Sequence, residues 1–116
     1  PIASSGQKVM RVQQVEIKIE QDQNNLKNLE KSLQFQELQL KTSYESASEM
    51  VELEKSSVEL ARRVYQRAIL RNESGVVSPL EVTQLQNQLL QAEGNYIMAV
   101  MEMLRIKVQL DKLYNK

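Results

Sequence analysis

No glycine or proline stands between Gly6 and Gly75, so nothing in that interval obliges a helix to stop. The apolar spacing there reads as one continuous helix. Stepping alternately by three and four from Val12 reaches Val15, Ile19, Asp22, Leu26, Leu29, Leu33, Gln36, Leu40, Ser43, Ala47, Met50, Glu54, Ser57, Ala61, Val64 and Ala68, a heptad seam with polar interruptions. Tyr44, Val51, Val58 and Tyr65 form a second stripe at period seven beside the first. Two apolar stripes imply partners on two sides of the helix.

Past Asn72 the run Glu73-Ser74-Gly75-Val76-Val77-Ser78-Pro79-Leu80-Glu81 carries every local signal of a helix stop followed by a helix start. Gly75 supplies the positive-φ residue that closes a helix, Ser78 is a favourable N-cap, Pro79 suits the first helical position, and Glu81 closes a capping box on Ser78. From there the three-four step visits Val82, Leu85, Leu89, Ala92, Tyr96, Ala99, Met103, Ile106, Leu110 and Leu113 without one polar miss. Leu90, Ile97 and Leu104 add a parallel stripe. The expected fold is therefore all-α: a long antiparallel helical hairpin, coiled-coil in character. Its divisions are residues 7–72 as the long helix, 73–78 as the tip and 79–116 as the returning helix. At 1.5 Å per residue the arms would be roughly 100 and 55 Å long. Leu113 would then lie opposite a residue near Leu38, leaving the apolar seam of residues 12–33 without an intrachain partner, so that the isolated chain should associate through it. The alternative is a break around residues 40–48, where Thr42, Ser43, Ser46 and Ser48 cluster, giving a three-helix bundle.

Composition narrows the function. Fifteen basic and fifteen acidic residues cancel, and histidine, cysteine and tryptophan are absent. A net charge of zero removes the diffuse attraction on which non-specific nucleic-acid or anionic-membrane binding depends. With neither thiol nor imidazole, a disulfide framework, the common zinc sites and Cys or His catalysis are excluded. Carboxylate pairs such as Glu49 with Glu52, or Glu52 with Glu54, have no pocket around them, so the chain reads as neither an enzyme nor a holder of a metal or cofactor. Glu54 beside Lys55, and Glu59 near Arg62 and Arg63, read as exposed helix pairs. The longest apolar run, residues 97–101, is far short of the roughly twenty residues of a spanning helix. The start at Pro1 resembles neither an initiator nor a signal peptide and reads as a segment of something longer.

The run from Gly75 to Gln86, followed by Leu89, Leu90, Ala92, Asn95, Tyr96 and Ala99, resembles the TolC family of outer-membrane efflux channels, as does the opening Pro1-Ile2-Ala3-Ser4-Ser5-Gly6-Gln7-Lys8 with Val15-Glu16-Ile17 beyond it, and the resemblance implies a residual strand end and glycine turn at residues 1–6. The resemblance implies a homotrimer whose chains have two similar halves, each giving β-strands to an outer-membrane barrel and helices to a periplasmic tunnel. By that resemblance the chain would be part of the second half, in the periplasm of a Gram-negative bacterium, touching the membrane only through barrel strands that it lacks. Its function would be export of small molecules or proteins, and its partners a periplasmic adaptor (membrane fusion) protein and, through it, an inner-membrane pump. Ser74, Gly75, Val76, Val77 and Ser78 would form the adaptor-docking tip, with Val76 and Val77 as exposed knobs; equally, the glycine is a helix stop, the serine a cap and the valines a clamp on the turn. Glu81 and Gln84 fall where the family narrows the tunnel entrance, although Gln84 has no charge and Glu81 is already accounted for as a cap residue. Gln84, Gln88, Gln91 and Asn95 form a polar face that lines a tunnel or is merely solvated. Met98, Met101 and Met103 read as packing residues, and Gly94 as a place of close helix approach or simple tolerance. The reading from a different class is a structural coiled-coil or spectrin-like scaffold module.

Overall fold

The computed structural model describes residues 2–115 and contains two helices, α1 (Ile2–Glu73) and α2 (Pro79–Tyr114). No strand is present among the described residues. Helix α1 is unbroken through residues 40–48, so the three-helix alternative does not hold. Its serines and Thr42 carry propensity costs of only a few tenths of a kcal/mol each, too little to break a helix without Gly or Pro. The N-terminal boundary also differs from expectation: residues 2–6 are helical, where a strand end and glycine turn were expected, and Pro1 lies outside the described residues. A strand needs a neighbouring strand to take its hydrogen bonds, whereas a helix satisfies them internally. Gly6 within a helix costs only about 1 kcal/mol.

Contacts divide the chain into two units, residues 1–38 and 39–116. In the first, the described residues form a single stretch of helix without a buried side chain. Val12, Val15, Ile19, Leu26 and Leu29 are each more than half exposed, and Leu33 is 40% exposed. Within this unit nothing covers the seam.

The second unit is the hairpin. Ser48 of α1 donates to the Met103 sulfur of α2 at 3.5 Å, and Arg62 reaches Glu93 at 3.4 Å, so numbers rise along α1 as they fall along α2. That is an antiparallel pair. On α2 the buried or half-buried residues include Val82, Leu85, Leu89, Ala92, Tyr96, Ala99, Met103, Ile106, Leu110 and Leu113, the seam read from the spacing, with Glu93 and Val100 half-buried beside it. On α1 they include the row Leu40, Tyr44, Ala47, Val51, Glu54, Val58, Ala61, Tyr65 and Ala68, with Ser48, Ile69 and Asn72 half-buried beside it. This seam takes one position per heptad from the expected row and the other from the expected second stripe. Ser43, Met50, Ser57 and Val64 turn outward instead, Met50 and Val64 being 48% and 40% exposed. The choice is steric and hydrophobic, because Tyr44, Val51, Val58 and Tyr65 bring more apolar area to the seam than a row that includes Ser43 and Ser57.

Among the described residues five are buried, namely Ala47, Val58, Ala68, Ala99 and Ile106. Three of them are alanines, which let the two backbones approach closely while contributing little area each. Ile106, only 5% exposed, is the largest of the five. Replacing it with Ala should lower the hairpin's unfolding free energy by about 2–4 kcal/mol, whereas the exposed Val108→Ala should cost under about 1 kcal/mol in the monomer. Urea unfolding followed by circular dichroism at low protein concentration checks the difference.

Candidate functional site

The tip is built from local chemistry. Gly75 has φ +80°, the left-handed conformation that a side chain disfavours. Its N–H donates to the Asn72 carbonyl at 3.0 Å, and the Val76 N–H donates to the Arg71 carbonyl at 2.9 Å, the paired bonds of a Schellman stop. Ser74 Oγ donates to the same Arg71 carbonyl at 3.0 Å, and Asn72 Nδ2 crosses the turn to the Val77 carbonyl at 2.8 Å. Ser78, extended at φ −73° and ψ 154°, then accepts the Glu81 N–H on its hydroxyl at 3.2 Å. The reciprocal arm of the capping box, from the Glu81 carboxylate back to Ser78, is not formed among the described residues. Glu81 still places negative charge in the first turn, where the helix dipole favours it.

These bonds hold the two valines differently. Val76 is 74% exposed at the apex. Val77 is half-buried and folds into the cleft between the helices, so the expectation of two exposed knobs holds for Val76 alone. Ser74, Gly75 and Ser78 are exposed beside it.

Below the turn lies an open cleft of about 470 Å³, lined by Arg67, Arg71, Val77, Glu81, Gln84 and Gln88 among others. Glu81 and Gln84 therefore do lie together near the tip. Spacing did not point to Arg67 and Arg71, which stand one turn apart on the opposite wall; the signal that could have found them is their i, i+4 spacing beside the seam residue Ala68 just before the glycine. Neither guanidinium has a side-chain partner among the described residues, so the cleft mouth carries two positive charges against the single carboxylate of Glu81. Gln91 and Asn95 continue the polar face beyond it, exposed.

Elsewhere the side chains serve packing and surface pairing. Met103 is half-buried as a packing residue, whereas Met98 and Met101 are each 64% exposed. Arg62 pairs across the hairpin with Glu93 and not with Glu59. Glu102 forms a forked pair with Arg105, whose hydrogen bonds hold the carboxyl below its ordinary range. Both ends of that pair are in water, and such pairs contribute little. Among the described residues no group of His, Cys, Asp or Glu is placed to hold a metal ion, no buried side-chain polar atom lacks a partner, and no helix is long and apolar enough to cross a membrane.

The arrangement sets an exposed apolar side chain at the apex over an open cleft of mixed polar and apolar lining. No protein family, curated protein or solved structure matches the chain. The tip's dependence on its cap is open to a direct check. Ser78→Ala should destabilise the hairpin by about 1 kcal/mol, and Gly75→Ala by about 1–2 kcal/mol through left-handed strain, both read as shifts in the urea midpoint with helicity otherwise retained.

Proposed function

We propose that the chain is a helical hairpin from the periplasmic tunnel wall of a TolC-like outer-membrane efflux or secretion channel, with residues 74–78 as the tip that docks a periplasmic adaptor. The observation that carries this reading is Val76: a turn closed by its own hydrogen bonds holds an apolar side chain 74% exposed at its apex. An apolar side chain held on a closed turn is available for a docking partner to cover. The apolar surface left open on both helices supports the same reading, because a tunnel wall must adhere to neighbours on either side.

In this reading the adaptor links the tip to an inner-membrane pump, the full-length protein works as a homotrimer in the outer membrane of a Gram-negative bacterium, and barrel strands supply the membrane contact. Glu81 and Gln84 narrow the passage near the tip. The hairpin works by shape and contact, without a cofactor and without catalysis.

The test uses the full-length channel subunit with its adaptor. Val76→Asp should reduce site-specific crosslinking to the adaptor by roughly tenfold, the effect of losing a central apolar contact, while the trimer stays intact on native gels. Undiminished crosslinking and export would rule out docking through this tip.

A further inference from the structure

Arginines line several clefts of the hairpin, and in two of them a carboxylate already holds the guanidinium. Arg105 is forked onto Glu102 in one, and Arg62 reaches Glu93 at 3.4 Å in another. The cleft below the turn is different. Arg67 and Arg71 line it, and among the described residues no carboxylate pairs with either. We infer that this cleft is a binding site for an amphiphilic organic anion, an oxyanion head carrying an apolar tail.

The head follows from the two guanidiniums. Positions 67 and 71 are one helical turn apart, about 6 Å along α1, so both side chains leave the same face of the helix. A guanidinium presents its N–H groups as a planar fork that matches two oxygens of a sulfate, sulfonate or carboxylate, and such charge-assisted bonds are the stronger kind. Val58 with Tyr96, and Ala68 with Leu85, line clefts together and so set the levels at which α1 and α2 face each other. On that scale Gln84 stands on the α2 wall between the levels of Arg67 and Arg71, where its amide adds a neutral donor. Glu81, the single carboxylate of the cleft, falls at the tip end.

The tail follows from the floor. Away from the tip the cleft runs over Val64, Ala68 and Leu85. Val64, Leu85 and Gln88 also line an adjoining cleft of about 230 Å³ with Leu60 and Ala61. The two clefts make one trough, cationic near the tip and apolar beyond it. Leu60 is 57% exposed and Val64 40%, which is apolar area that a tail lying there removes from water. The 470 Å³ of the tip cleft alone falls within the range of small-molecule sites. An inorganic anion leaves the floor wet, a neutral amphiphile leaves the guanidiniums unused, and a cationic one meets two like charges. A ligand with both an anionic head and an apolar tail uses the whole trough. This inference concerns the chain alone and does not rest on the channel reading.

The test is a calorimetric titration of the full chain with decyl sulfate, kept below its micelle-forming concentration. It should show one saturable site per chain. Replacing both arginines, Arg67→Gln with Arg71→Gln, should weaken that binding by roughly tenfold or more, whereas the charge-matched pair Arg62→Gln with Arg63→Gln should change it by less than about twofold. Inorganic sulfate and decanol, the head and the tail taken separately, should each bind more weakly than decyl sulfate by roughly tenfold or more. Binding without saturation, several equivalent sites, equal losses in the two double variants, or decanol binding as tightly as decyl sulfate would overturn the proposal. All four arginines are exposed, so folding should survive, and unchanged helicity by circular dichroism checks that.

Discussion

Everything in the hairpin depends on one limit: two helices packed together can each bury a single stripe of side chains. Here that stripe is the seam between residues 40–72 of α1 and all of α2, and it holds only five buried residues, three of them alanine. Close backbone approach gives good contact along the seam but little area per residue. Removing apolar area from water contributes about 25 cal/mol per Å², so a seam of this kind stabilises weakly for the chain entropy it must offset. The remaining apolar side chains stay in water until something else covers them.

That limit connects the rest of the molecule. The turn from Asn72 to Ser78 satisfies its own backbone groups and needs no tertiary support, so the tip can be rigid while the body still awaits neighbours. The exposed apolar rows, Met50, Leu53, Leu60 and Val64 on α1 and Leu90, Ile97, Met101, Leu104 and Val108 on α2, keep the helical spacing that packing requires, which scattered surface leucines would not show. The polar face from Gln84 to Asn95 carries no apolar residue at the corresponding heptad positions and is left for water or for whatever passes along it. A hairpin with one closed seam, open apolar stripes, one wet face and a stiff apex has the surfaces of a wall segment, and that is the physical basis of the channel proposal.

Legibility in the sequence followed how local each cause was. The turn could be read residue by residue, because Gly75, Ser78 and Pro79 act through backbone geometry within a few positions. The seam of α2 was equally plain, since no polar residue interrupts it. On α1 two apolar stripes run side by side, and α1 alone cannot say which one α2 will cover; Tyr44, Val51, Val58 and Tyr65 prevailed over Ser43, Met50, Ser57 and Val64 only once the partner helix was in place. Residues 2–6 were misread for a related reason. Their expected extended form came from resemblance to a larger protein, in which neighbouring strands would supply the hydrogen bonds. The cleft arginines escaped notice because exposed charges on a helix look alike until the opposite wall is known.

The central claim is that the seam alone holds the hairpin weakly and that the uncovered stripes complete its stability through other chains. The most direct measurement is the thermal unfolding midpoint by circular dichroism, taken across about a thousandfold range of protein concentration. Linkage of folding to association predicts a midpoint that climbs steadily with concentration. A midpoint independent of concentration, with full helicity at the lowest concentration, would show that the hairpin is sufficient by itself and would contradict the account.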